Sequence, residues 1–171
     1  MAIRCQLDTV EDTKIVAACV AGLFAGDGQG AQTICLRGAL GAGKSEFARH
    51  VISWLCDVDI ADIPSPTFTL VQHYQTHGGR ELWHMDLYRL THPDEVWALG
   101  VEQGFEIALC LIEWPDRIEP YLPHNRIDID IAFSDSADES RIMDIDAKDT
   151  GWLAGLADAF GHTALRFSHL E

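Results

Sequence analysis

The chain is short of positive charge. Its 171 residues carry 12 Lys and Arg against 27 Asp and Glu, a formal net charge of −15, and only three of the bases are lysines. That balance opposes an autonomous RNA- or DNA-binding surface, which needs a basic footprint to displace counterions, and suits a soluble protein steered toward basic protein surfaces. Cysteine pairs are also missing: Cys5, Cys19, Cys35, Cys56 and Cys110 stand singly, with no C-x-x-C, mostly in apolar runs. They read as reduced, core-packed thiols and not as a zinc or redox site. No apolar run is long enough to span a bilayer, and the opening Met-Ala-Ile-Arg-Cys-Gln turns polar too soon for a signal peptide, so a cytoplasmic protein is expected. Internal repeats and low-complexity stretches are absent. The length and the 47% apolar content suit one domain over 1–171.

What is present centres on Gly38-Ala39-Leu40-Gly41-Ala42-Gly43-Lys44-Ser45, which satisfies G-x-x-x-x-G-K-[ST] between a strand-like run (33–37) and a helix-like run (46–55). This is the context a phosphate-binding loop requires. Glycines let backbone N–H groups curl around phosphate oxygens, Lys44 brings a point charge to the terminal phosphates, the Ser45 hydroxyl can ligate Mg²⁺, and the helix start adds its positive dipole end. A nucleoside triphosphate site is therefore expected. No N-K-x-D guanine signature accompanies it.

Along the chain, 3–7 reads as a strand and Asp8 as the cap of a helix, with Glu11 as its acidic partner and Ile15, Val16, Cys19, Val20, Leu23 and Phe24 on its apolar side. That helix is expected to end near Gly26 to Gly30. After the loop helix, 69–76 and 81–86 form two strands joined at Gly78-Gly79, and therefore antiparallel. A helix starts near Thr91-His92-Pro93 and stops at Gly100, with a further turn over 101–106; 108–113 is a strand buried on both faces. The strictly alternating 126–133 and 141–146 make a half-exposed hairpin around a polar turn at 134–140. A closing amphipathic helix carries Trp152 to Phe160, within a helical extension over about 150–166; 167–171 is too short to assign. The fold class is α/β, a P-loop NTPase of three α/β/α layers around a mixed parallel and antiparallel sheet.

Chemistry on a Mg-nucleotide needs a carboxylate at a strand end, and Asp86 and Glu113 both qualify. Glu113 is the first choice for the metal and Asp86 for water positioning or metal support, though the division is reversible. Thr67, in Ser65-Pro66-Thr67-Phe68, stands where nucleotide switches set a sensor for γ-phosphate or Mg²⁺, or else in a rigid turn. His84 and Tyr88 flank Asp86; His84 shares its strand face and either orients the acid or, the preferred reading, is a packed or surface histidine. Trp114 is a core residue, a nucleotide lid or a partner contact.

Several segments together resemble the TsaE (YjeE) family: the loop itself, Ser65-Pro-Thr-Phe-Thr-Leu-Val71, His84-Met-Asp-Leu-Tyr-Arg-Leu90, Leu99-Gly-Val-Glu102 and Leu111-Ile-Glu-Trp-Pro115, in the family's order and at similar spacing. The resemblance implies an ATPase, with ATP and Mg²⁺, that works with the TsaB and TsaD proteins to place a threonylcarbamoyl group on the tRNA adenosine next to the anticodon, the tRNA being handled by the partners. It implies Ser45 and Glu113 as Mg²⁺ ligands, with Thr67, Asp86 and Trp114 near the nucleotide or important for activity. It puts adenine near Glu11, Thr13 and the late hairpin around Arg141. Two departures stand out. Ala39 replaces the family's usual aspartate, and Glu46 replaces a hydroxyl residue, where it must point away from phosphate. A nucleotide-dependent scaffold with little hydrolysis and a small-molecule P-loop kinase remain the alternatives.

Overall fold

The computed structural model describes residues 2–25, 32–134 and 140–170. The expected end of the first helix near Gly26 to Gly30, and most of the polar turn over 134–140, lie outside these residues.

Eight strands form one mixed sheet: β1 (Ala2–Leu7), β2 (Gln32–Arg37), β3 (Val71–Gln75), β4 (Glu81–Asp86), β5 (Leu109–Glu113), β6 (Ile127–Phe133), β7 (Arg141–Ala147) and β8 (Arg166–Leu170), in the order β3-β4-β5-β2-β6-β7-β1-β8. The central trio β4, β5 and β2 runs parallel, as does β2 with β6, while β3, β7, β1 and β8 each pair antiparallel to a neighbour. Among the described residues the α-helices are α1 (Val10–Phe24), α2 (Lys44–Cys56), α3 (Val101–Ile107) and α4 (Thr150–Gly161). One face of the sheet packs Ile34, Leu36, Ile127, Ile129, Met143 and Ile145 against Val16, Val20, Phe47, Val51, Leu156 and Phe160 of α1, α2 and α4. The other face, at the β4–β5 end, buries Met85, Cys110 and Ile112 under Val96, Val101 and Ile118. β5 is apolar on both sides because both sides are covered. Among the described residues no helix is long and apolar enough to cross a membrane.

Local chemistry explains where the elements start. The cap of α1 is Thr9, not Asp8: its hydroxyl accepts from the Asp12 N–H at 3.2 Å while Asp12 accepts from the Thr9 N–H at 2.8 Å, so the acidic partner is Asp12 and not Glu11. Asp8 pairs instead with Arg166 of β8. The strand expected from residue 69 begins at Val71, because Leu70 takes a left-handed φ of 66° and closes a turn onto the Pro66 carbonyl. The Pro93–Leu99 segment is 3-10 and not α-helical; it is capped by His92 and stopped at Gly100 with φ 71°. The helical extension expected to reach about 166 stops at Gly161, and Arg166–Leu170, unassigned from 167 in sequence, pairs with β1 at one edge of the sheet.

All five cysteines are free. Burial pushes the Cys5 and Cys110 thiols up to about 12 and that of Cys56 to about 11. They are inert hydrophobes here.

Candidate functional site

Parallel register assembles the site. Asp86 stands opposite Glu113 and Glu113 opposite Leu36, so both carboxylates arrive at the carboxyl edge where β2 runs into the glycine loop. In an open α/β sheet this edge, beside the strand where connections diverge, is where ligands bind.

The loop needs its glycines for two separate reasons. Gly38 has φ 136°, and a Cβ there would lie 2.2 Å from the Ile131 carbonyl oxygen, so β6 admits no side chain. Gly43 precedes α2 with φ 113°, a backbone that L side chains rarely adopt, and lets the loop turn directly into the helix. Lys44, 5% exposed, donates to the Gly38 and Ala39 carbonyls at 2.9 Å each, and its ammonium lies 3.9 Å from the Trp114 ring centroid. Burial holds its pKa below the ordinary lysine value, while Glu113 and Asp86 pull it the other way.

Opposite the lysine lies the acidic side of a cavity of about 230 Å³, lined by Leu40, Gly41, Gly43, Lys44, Ser45, Glu46, Thr67, Asp86, Tyr88, Glu113 and Trp114. The Ser45 hydroxyl donates to Glu113 Oε2 at 2.6 Å. Asp86 accepts from the Thr67 hydroxyl at 2.7 Å and from the Tyr88 N–H at 3.1 Å. Trp114, at φ 59°, ends β5 and leans on Tyr88 with ring centroids 5.0 Å apart. Glu113 and Asp86 are 1% and 4% exposed, so their charge is usable only through such partners.

His84 does not orient Asp86. Its Nε2 lies 2.9 Å from Glu113 Oε1, on the neighbouring strand. The alternation of β4 puts His84 and Asp86 on one face, as the sequence predicts, but only the parallel register reveals that Glu113 is in reach.

A second cavity of about 410 Å³ opens on the other side of the loop, lined by Leu7 to Val10, Thr13, Gly41 to Gly43, Glu46, Ile131, Arg141 and Met143. Thr13 and Arg141 thus meet across it. Glu11 does not: it pairs with Lys14 at 3.0 Å and faces a groove with His50 and Trp54. Thr13 and Glu11, two residues apart on α1, point to different surfaces. Glu46 lines both cavities, yet its carboxylate turns along α2 to His50 at 3.0 Å and Arg49 at 3.9 Å. Val10 and Met143 are not signalled by the sequence, and Tyr88 stands out there only as a neighbour of Asp86, without a role.

Among the described residues no three His, Cys, Asp or Glu side chains form a protein-only metal cage. The hard oxygen donors of Ser45, Glu113 and Asp86 nevertheless fit Mg²⁺, which commonly takes one or two carboxylates and completes its shell with water and substrate phosphate.

Fold and site together define a mixed α/β protein with a lysine-bearing glycine loop facing two buried carboxylates at the carboxyl edge of parallel strands. The model of the family described as "Threonylcarbamoyl adenosine biosynthesis protein TsaE" matches residues 7–143, and the chain belongs to that family. It is 36% identical over 139 residues to the tRNA threonylcarbamoyladenosine biosynthesis protein TsaE of Rickettsia bellii, covering 81% of this chain and 91% of the relative. It is 38% identical over 120 residues to the Bacillus subtilis protein of the same description, covering 70% of each. The crystal structure of Bacillus subtilis YdiB superposes with a TM-score of 0.68 at 26% identity, over 95% of this chain and 96% of that one.

Proposed function

We propose that this protein is a P-loop ATPase that binds Mg-ATP at the cavity between Lys44 and Glu113 and hydrolyses it in support of a TsaB–TsaD complex during threonylcarbamoylation of tRNA. The observation that carries the reading is the convergence of Lys44, the Ser45–Glu113 bond and the Thr67–Asp86 bond on one cavity at the mouth of the glycine loop. The loop's backbone amides would cradle the phosphates, Lys44 would turn from its two carbonyls toward the terminal ones, and the base would enter the cavity lined by Thr13 and Arg141. With its proton on Glu113, the Ser45 oxygen keeps lone pairs for a cation. Mg²⁺ in that position would neutralise charge developing on the terminal phosphates. Asp86, held by Thr67, is the acid that would orient the attacking water.

Partner dependence rests on the rim. Leu40 and Phe68 are 76% and 82% exposed, and Arg89 stacks 4.4 Å over Phe68. Leu40 of the cavity wall and Phe68, next to Thr67, are thus apolar side chains open to a protein partner. The net charge of −15 supports leaving the tRNA to those partners.

The test is phosphate release from Mg-ATP by the purified protein alone, with TsaB and TsaD, and with small hydroxyl acceptors. Free phosphate appearing with the partners supports the reading. Phosphate transferred to an acceptor instead makes the protein a kinase, and ATP-dependent association without phosphate release makes it a scaffold.

A further inference from the structure

His84 is 0% exposed, yet it is neither a packed hydrophobe nor fully hydrogen-bonded. Its Nε2 faces Glu113 Oε1 at 2.9 Å, and its Nδ1 is buried without a hydrogen-bond partner. Facing a carboxylate, Nε2 is placed to donate its N–H, and Nδ1 is the ring's buried polar atom without a partner. Leaving that atom unpaired in the interior costs about 1–3 kcal/mol. The protein tolerates this penalty at a position that needs an N–H directed at Glu113.

The consequence lies in how Glu113 is held. A carboxylate at the end of β5 with one partner pivots about its last two torsions, whereas this one has a donor on each oxygen: His84 on Oε1 and Ser45 on Oε2. The two donors come from different elements, β4 and the first turn of α2. They fix the plane of the carboxylate relative to both the sheet and the loop.

Building on the Mg-nucleotide reading above, we propose that His84 is a positioning residue for the cation: by pinning Oε1 of Glu113 it keeps Oε2 aimed at the Ser45 hydroxyl and so fixes the oxygen donors that receive Mg²⁺. His84 does not line the cavity. It acts through Glu113 in the way partners behind a metal's ligands orient them, where removal typically costs about 10–100-fold in metal affinity.

The experiment compares the wild type with His84→Leu, which keeps bulk and loses the donor, and His84→Gln, whose amide can still donate to Oε1. For each, binding of a fluorescent ATP analogue is titrated at rising Mg²⁺ and again in chelator, with thermal unfolding run alongside. His84→Leu is expected to raise the Mg²⁺ concentration at half-maximal binding by about tenfold or more, to leave chelator-state affinity within about twofold, and to be rescued to within about threefold by His84→Gln. An unchanged Mg²⁺ midpoint in a folded His84→Leu overturns the proposal, and so does an equal loss of affinity with and without Mg²⁺, which marks a structural role. If His84→Leu does not fold, the wild-type imidazole ¹⁵N spectrum decides: a protonated Nε2 supports the proposal, and a bare Nε2 overturns it. Failure of the Mg-nucleotide reading looks different, since the wild type itself then shows no Mg²⁺ dependence.

Discussion

Replacing Lys44 by Met keeps the side chain's length and removes only its charge and donors. A unit charge pair about 4 Å apart at an effective dielectric of about 20 is worth about 4 kcal/mol, and that is the scale of the attraction between the ammonium and one charge of a terminal phosphate. Lys44 must first leave the Gly38 and Ala39 carbonyls, both at 2.9 Å. Two hydrogen bonds at about 1 kcal/mol each reduce the gain to about 2 kcal/mol. Lys44→Met is therefore expected to weaken ATP binding by about 30-fold, measured by calorimetric titration in Mg²⁺. Lys44→Met also gives up both carbonyl hydrogen bonds in the free protein, so its melting curve is measured alongside and the affinity is read at a temperature where the variant is folded. A folded Lys44→Met with ATP affinity within threefold of wild type would refute the assignment of the lysine to the phosphates.

Gly38→Ala brings a methyl group to 2.2 Å from the Ile131 carbonyl at φ 136°; a cost of about 2 kcal/mol or more lowers the melting temperature by roughly 4–8 °C, and an unchanged melting curve would contradict the close packing of loop and β6. The buried thiols predict alkaline sensitivity. Cys5 and Cys110 are raised from 9.0 to about 12, so above pH 9 the unfolded chain releases protons that the fold retains. Stability is full below pH 9 and falls from there to about pH 12, by about 1.4 kcal/mol per pH unit for each thiol. Urea midpoints measured from pH 8 to 10.5 for the wild type and for Cys5→Ala with Cys110→Ala check this, the double variant showing the shallower decline.

Local signals carried most of what the sequence disclosed. The glycine loop, the strands ending in Asp86 and Glu113, and the buried character of 108–113 are written in contiguous residues, because turn chemistry and apolar runs act over a few positions. What was not legible depends on pairing between distant segments. That Asp86 and Glu113 stand side by side, and that His84 serves Glu113 and not Asp86, follows from the β4–β5 register. The short run 166–170 becomes a strand because β1 offers it an edge. The cap of α1 is Thr9 and not Asp8 for a subtler reason: both residues are good caps and each has an acid three residues on, but Asp12 returns the bond to Thr9 while Glu11 turns to Lys14. Glu11, expected beside the base, is turned away by the helical position that aims Thr13 inward. Glu46 is sited beside the cavity mouths, and its carboxylate has His50 to turn to.

The most direct test of the account is a calorimetric titration of ATP into the purified protein, with Mg²⁺ and with chelator, for the wild type and Glu113→Gln. One saturable site that tightens with Mg²⁺ in the wild type, and loses most of that tightening in Glu113→Gln, is the predicted result. ATP binding that ignores both the metal and the substitution, or no binding at millimolar ATP, would contradict it.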